Sequence, residues 1–194
     1  MALKKFFIKD KIEVGCDEAG RGCLAGPVVA AAVILQAEKS NTLLNDSKQV
    51  SKKNREELRT WIEENAIAWA IGIVSHKEID QINILNASFL AMHRAIDQIK
   101  VKFDHLLIDG NRFNPYKEVR HHCVIKGDSK YTSIAAASIL AKTHRDEIML
   151  QLDREYPEYQ WKKNQGYPTK HHRDTIINLG ISPYHRMSFR LINS

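Results

Sequence analysis

Ile12-Glu13-Val14-Gly15-Cys16-Asp17-Glu18-Ala19-Gly20-Arg21-Gly22 sets a pattern that the chain uses more than once: a short apolar strand, then carboxylates, then glycine. Ile12 to Cys16 reads as a strand ended by the acidic pair and the glycines. Neighbours on an ideal strand point to opposite faces, so Asp17 and Glu18 share a site only if the strand ends or bulges there. Gly20 and Gly22 supply the backbone freedom for that. Beyond the Gly26-Pro27 turn, Val28-Val29-Ala30-Ala31-Ala32-Val33-Ile34-Leu35 is apolar at every position. Such a run belongs in the middle of a sheet covered on both faces.

The same grammar recurs at Leu107-Ile108-Asp109-Gly110 and at Val124-Ile125-Lys126-Gly127-Asp128. Carboxylates at strand ends can converge on one edge of a sheet, where they repel unless a hard cation sits between them. Mg²⁺ or Mn²⁺ suits such oxygen ligands, and two such ions can clamp an in-line phosphoryl displacement. The plainer reading is ordinary loop acids; three strand-end sites in one small chain weigh against it. Gly20-Arg21-Gly22 could bring backbone N–H groups to a phosphate or sugar, with Arg21 adding charge, or it could be an ordinary turn. It is neither a phosphate-cradling GxxxxGK[ST] loop nor a complete GxGxxG.

Strands and helices mix from start to end. Ser51 and Asn54 offer capping chemistry for a helix to about Glu64, and Ala66 to Val74 is a further β-branched and aromatic run. Apolar residues recur at helical spacing from Asn83 to Lys100. His105 to Ile108 and Glu118 to Ile125 read as strands, while Ser133 to Leu152 and Lys170 to Leu179 read as helices. This predicts an α/β fold, a sheet layer carrying a helical C-terminal piece. With 194 residues and no repeat or linker, the chain fits one domain with a small C-terminal addition, divided here as 1–154 and 155–194.

Twenty-nine Lys and Arg against 23 Asp and Glu leave a net charge of +6, which favours a polyanionic partner. Cys16, Cys23 and Cys123 form no CxxC pair, as expected of reduced thiols in a cytosolic protein. No secretory signal or membrane span is visible, so a soluble, cytoplasmic chain is expected. Lys48, Lys52, Lys53 and Arg55 form a basic cluster suited to phosphate or to a solvated helix face. Ser138, Lys142 and Arg145 share helical spacing and could support the acids, bind phosphate or simply pack the helix. His121-His122-Cys123 lacks the second ligand pair that zinc needs. His171-His172 lies near Tyr167 and reads as an exposed helix start or a substrate contact, Trp61 and Trp69 read as core, and Trp161 as a residue that could lie near nucleic acid.

Asp17-Glu18-Ala19-Gly20-Arg21-Gly22, continued by Leu24-Ala25-Gly26-Pro27-Val28-Val29, closely resembles the opening motif of the type 2 ribonucleases H, specifically bacterial ribonuclease HII. The similarity returns in order at Asp46-Ser47-Lys48, Ile108-Asp109-Gly110-Asn111, Lys126-Gly127-Asp128-Ser129 and Ala136-Ala137-Ser138-Ile139-Leu140-Ala141-Lys142. It ends with Gly166-Tyr167-Pro168-Thr169 and His185-Arg186-Met187-Ser188-Phe189. The resemblance implies a ribonuclease H-like mixed sheet flanked by helices, with a helical C-terminal extension. It places the metal-site carboxylates on Asp17, Glu18, Asp109 and Asp128. By similarity, Gly20, Arg21 and Gly22 would read the ribose 2′-OH at an RNA-to-DNA junction, and Tyr167 would pack on the following deoxyribose; Lys48 joins them as a substrate-binding candidate. The 2′-OH is the group that separates the two sugars at a given position. Three positions depart from the family pattern. Cys23 stands where proline is common, Pro168 where glycine is more usual, and Leu191 where proline often follows; they bear on substrate preference more than on catalysis.

The activity implied is endonucleolytic hydrolysis of the RNA strand of RNA–DNA hybrids, and cutting at ribonucleotides embedded in duplex DNA. Asp17 would bridge two Mg²⁺ or Mn²⁺ ions whose coordination Glu18, Asp109 and Asp128 complete, giving 3′-hydroxyl and 5′-phosphate ends. Two other readings stand beside it: a DNA-cutting nuclease of the same fold, and a non-catalytic hybrid- or DNA-binding module. A pure phosphate binder gains nothing from clustered carboxylates. A monomer is the default expectation.

Overall fold

A computed structural model describes residues 3–36, 39, 41, 44 and 50–192. Five strands form one sheet: β1 (Glu13–Ala19), β2 (Val28–Leu35), β3 (Ala66–Val74), β4 (His105–Asp109) and β5 (Arg120–Val124), in the order β3-β2-β1-β4-β5. The β3-β2-β1 half is antiparallel and the β1-β4-β5 half parallel, so the sheet is mixed. Helices α1 (Lys52–Asn65), α2 (His76–Asp97), α3 (Thr132–Glu155), α4 (Trp161–Asn164) and α5 (Lys170–Leu179) complete it. The α/β architecture expected from the sequence is the one observed.

The all-apolar β2 run occupies the interior of the antiparallel half and is buried from Val28 to Ile34. Its even-numbered side chains join Val14, Cys16 and the α2 residues Phe89, Met92 and Ile96 in one core. Its odd-numbered ones, Ala31 and Val33, meet Leu58 and Ile62 of α1 and the alanine-rich stretch of α3 in another. Each fully buried leucine or isoleucine contributes about 1.5–3 kcal/mol by leaving water. Small side chains let α3 lie close to the sheet. At Gly15 a Cβ would sit 2.3 Å from the Ser133 carbonyl carbon, so this crossing admits only glycine without displacement.

Two element boundaries differ from the sequence expectation. The first strand does not stop at the acidic pair: β1 keeps regular pairing with β2 as far as Ala19 opposite Val29. On its other side, pairing with β4 ends at Cys16 opposite Ile108. The second helix starts not at Asn83 but at His76, where Ser75 and Glu78 form a reciprocal capping box. Asn83 (φ 63°) is a kink inside it, and its side chain accepts from the N–H groups of Leu85 and Asn86, so the second half has its own cap. Among the described residues no helix is long and apolar enough to cross a membrane.

The C-terminal segment is tied to the first half of the chain. The Asp80 carboxylate of α2 accepts from the N–H groups of Met187 and Ser188 and from the Ser188 hydroxyl. Arg186 N–H donates to the Leu24 carbonyl, and Ala25 bridges to His185. Trp161 is not near the surface but fully buried with Tyr159, Met149 and Ile176. Trp61 and Trp69 are half-buried against the α1–α3 core.

Candidate active site

Parallel pairing of β1, β4 and β5 brings the ends of all three strands to one edge of the sheet. Cys16 and Ile108 are register partners that face α2, so alternation turns the next residues, Asp17 and Asp109, toward α3 together. Asp128 follows β5 in a single 3₁₀ turn, Gly127–Ser129, entered through the left-handed Lys126 (φ 54°). That turn is bound to the neighbouring strand end: Gly127 N–H donates to Asp109 Oδ1 at 2.6 Å.

Asp17, Glu18, Asp109 and Asp128 line one cleft of about 250 Å³ with Gly20, Arg21, Gly22, Ser138, Lys142 and Tyr167. Asp17 and Glu18 do this without a bulge. Because β1 runs past the end of its β4 pairing, the open edge lets side chains from both pleat faces meet the same space. Lys48 lies outside the described residues. Lys52, Lys53 and Arg55, of the same basic cluster, sit in the first turn of α1.

The site is negative and partly dry. Asp17 is buried, and its carboxyl is held well above the usual carboxylate range by that burial and by the charges of Glu18 and Asp109. The Ser138 side chain and the Glu18 N–H, the latter donating at 2.7 Å, oppose the shift. Burial also raises Glu18, against which the Arg21 guanidinium donates at 3.1 Å. Lys142 is paired with Asp146 at 2.6 Å. A set of oxygen donors whose charges raise one another's proton affinity fits a hard divalent cation. Among the described residues no three acidic, histidine or cysteine side chains form a ready-made cation cage. Mg²⁺ needs none, since it keeps several waters and takes one or two carboxylates plus substrate oxygens.

Behind the glycine loop lie two buried arginines: Arg145, singled out by its helical spacing with Ser138 and Lys142, and Arg186, which spacing does not reveal. Arg186 donates to the carbonyls of Gly20 (2.8 Å), Arg21 (3.0 Å), Gly26 (3.0 Å) and Pro27 (3.1 Å). Arg145 donates to those of Pro27 (3.0 Å), Gln165 (2.9 Å) and Ala25 (3.2 Å), so it is a scaffold for the loop rather than a phosphate ligand. Gly20 has φ +96°, and a Cβ there would stand 2.0 Å from Arg145 Nε. Burial and the nearby Arg145 charge bring Arg186 down to about 10. In a trans peptide the C=O and the following N–H point opposite ways. With the Gly20 and Arg21 carbonyls turned inward to Arg186, the N–H groups of Arg21 and Gly22 are turned away from it.

Tyr167 stands at the loop, its ring 3.9 Å from where a Gly22 Cβ would be. Cys23 is fully buried; its thiol contacts the Tyr167 hydroxyl, and its N–H closes the loop onto the Gly20 carbonyl at 3.4 Å. Proline could make neither contact. His172 is not an exposed helix-start residue but is fully buried, unlike its neighbour His171.

The family model described as Ribonuclease HII matches residues 14–192. Ribonuclease HII of Bacteroides thetaiotaomicron is 64% identical over 190 residues, covering 98% of this chain and 95% of that one. The crystal structure of ribonuclease H2 from Pyrococcus horikoshii superposes with TM-score 0.76 at 25% identity, covering 92% of this chain and 94% of that one. The RNase HII in a PCNA complex from Archaeoglobus fulgidus gives 0.74 at 25% identity, covering 94% and 97%.

Proposed function

The chain belongs to the ribonuclease HII family, and from that membership we propose that it hydrolyses the RNA strand of RNA–DNA hybrids and cuts at ribonucleotides embedded in duplex DNA. The observation that carries this reading is one cleft lined by four carboxylates, the Gly20-Arg21-Gly22 loop and Tyr167. Chemistry and sugar recognition then address the same stretch of backbone.

Asp17, Glu18, Asp109 and Asp128 would hold two Mg²⁺ or Mn²⁺ ions. When bound, these would supply Lewis-acid activation of the attacking water and stabilise charge on the leaving 3′-oxygen, giving 3′-hydroxyl and 5′-phosphate ends. Ser138 keeps Asp17 oriented and partly offsets its burial. Gly127 N–H holds one oxygen of Asp109 and so orients that carboxylate. Arg21 keeps Glu18 closer to ionisation and adds a cation for the scissile phosphate. The N–H groups of Arg21 and Gly22, turned outward by the Arg186 clamp, donate to the ribose 2′-oxygen. Tyr167 packs on the adjoining deoxyribose, where a 2′-OH would collide with the ring. Lys48 adds a phosphate contact. Residues 155–194 act as an extension of the 1–154 core that completes the substrate site. A monomer is the assembly proposed, in the cytoplasm where such a substrate is found.

The test is a substrate panel with Mg²⁺ or Mn²⁺: plain DNA duplex, RNA duplex, RNA–DNA hybrid and DNA duplex carrying one ribonucleotide. The last two should be cut and the first two spared. Cleavage of plain DNA would favour a DNA-cutting nuclease of the same fold; binding without cleavage in any divalent ion would leave only a binding module.

A further inference from the structure

Under the cleft floor, away from the carboxylates, lies a chain of buried hydrogen bonds that ends on Tyr167. Trp161, His172 and His185 are at most 2% exposed. Trp161 Nε1–H donates to His172 Nε2 at 3.1 Å, so that nitrogen carries no proton. His172 therefore has its proton on Nδ1, which donates to the Tyr167 carbonyl at 2.9 Å. Ser182 N–H donates to His185 Nδ1 at 2.9 Å. His185 then carries its proton on Nε2, 3.0 Å from His172 Nε2, whose single lone pair it shares with the Trp161 N–H. Both tautomers are set by neighbours that can only donate, and every ring nitrogen is used. Burial keeps both rings neutral, lowering their proton affinity.

The Tyr167 backbone is thereby fixed on both sides. Its carbonyl accepts from His172 and from Thr169 N–H at 2.8 Å, and its own N–H donates to the Asn164 carbonyl at 2.9 Å. The Cys23 thiol meets the hydroxyl at the far end of the ring. His185 adjoins Arg186, so one dipeptide serves both parts of the sugar-reading surface.

We infer that His172, with its tautomer set by Trp161 and His185, is a positioning residue for Tyr167 and so sets how strictly the enzyme requires a deoxyribose beside the ribonucleotide. This rests on the reading of Tyr167 given above. A misplaced ring loses its contact with the deoxyribose and its exclusion of a second ribose, while the carboxylate site stays intact. The effect therefore falls on substrate choice and not on the chemical step.

Two substitutions separate this role from packing. His172→Gln puts an amide oxygen where Nε2 was, satisfying Trp161 and His185, but leaves no N–H for the Tyr167 carbonyl. His172→Asn keeps an amide N–H at the Nδ1 position and leaves the two donors unmet. The readout is the ratio of kcat/KM on a DNA duplex with one ribonucleotide to that on a continuous RNA–DNA hybrid. A ratio of two activities from one sample does not depend on the fraction folded, so a partly folded variant still reports. His172→Gln should lower the ratio about tenfold, equivalent to 1.4 kcal/mol, with little change in Tm. His172→Asn should keep the ratio and lose Tm. An unchanged ratio in His172→Gln, or equal losses in both variants, overturns the proposal. Tyr167→Ala run alongside tells the two failures apart. If it too leaves the ratio unchanged, the reading of Tyr167 falls and the inference with it; if it lowers the ratio while His172→Gln does not, only the inference falls.

Discussion

Arg186 Nη2 donates to the Gly20 carbonyl at 2.8 Å across 166 residues of chain. A side chain near the C-terminus thus shapes a loop near the N-terminus, and that loop adjoins two of the four acids. The guanidinium is fully buried, with carbonyl oxygens for partners and the Phe189 ring 5.1 Å from its carbon. Its stability rests on the number and geometry of those bonds rather than on a close ion pair.

Arg186→Lys keeps the charge and loses the fork. A lysine can meet one or two of the four carbonyls, leaving the rest buried without donors. Hydrogen bonds to charged groups are worth about 1.5–3 kcal/mol each, so a loss of about 3 kcal/mol or more is expected. Calorimetry should show Tm falling by about 6–12 °C, and cleavage at a lone ribonucleotide should drop more than binding to plain duplex. Native Tm and cleavage in this variant would dismiss the clamp.

Asp109→Asn retains an acceptor for Gly127 N–H, so the turn that carries Asp128 stays in place. What goes is one negative charge at the shared strand edge. Cleavage of a hybrid should fall by about 10²-fold or more, the scale for removing one preorganised electrostatic group. Hybrid affinity, measured by anisotropy without divalent ions, should hold or rise. Native cleavage rates would refute the assignment of Asp109.

Asp17→Asn should stabilise the metal-free protein at neutral pH. Asp17 binds its proton more tightly folded than unfolded, because burial, Glu18 and Asp109 all disfavour the charge. Its folded pKa lies above its unfolded one. That contribution to stability is present at low pH and is lost as pH rises through the raised value. The substitution removes this loss, with about 2–4 °C of Tm for each kcal/mol relieved. Mg²⁺ should raise the Tm of the wild type and do little for the variant; equal shifts in both would contradict the assigned role.

His185 carries the opposite sign. Burial and the neighbouring His172 push it down to about 4, below the usual 6.5. Between those values the unfolded chain holds a proton that the folded chain does not, so stability rises with pH across the window and is lost as pH falls through it. The full effect approaches about 3 kcal/mol. Urea titrations at pH 4.5 and 7 should show wild type losing more on acidification than His185→Gln. Identical losses would mean that His185 is protonated in the folded state.

Much of the frame was legible because its signals are local. The unbroken apolar run of β2 has one comfortable place, and the strand-carboxylate-glycine units name three strand ends. Ser51 marks the start of α1, and the helix read at Lys170 to Leu179 coincides with α5. The errors were also local conflicts. Asn83 resembles a helix start because it does cap the second half of α2, which hid the Ser75–Glu78 box upstream. The acidic pair resembles a strand end because β1 loses β4 there, although β2 holds it for three residues more. The clamp and the histidine chain left no periodic trace. Arg145, Arg186, His172 and His185 have their meaning from carbonyls and rings elsewhere in the chain, and spacing does not carry that information. Trp161 misled for a related reason: the basic Lys162-Lys163 beside it pointed to the surface while its own ring turned into the core.

The long reach of Arg186 also has a consequence in time. Chains emerge from their N-terminus at about 5–20 residues per second, so Gly20 is made on the order of ten to thirty seconds before Arg186. In the last part of that interval, once Asp128 has been made, all four acids can be present while the loop beside them still lacks the Arg186 guanidinium for its carbonyls. On the roles proposed above, a growing chain would complete its four carboxylates before the clamp that shapes the Gly20-Arg21-Gly22 loop. A chain interrupted between Asp128 and Arg186 would carry all four acids beside a loop whose carbonyls lack the Arg186 guanidinium.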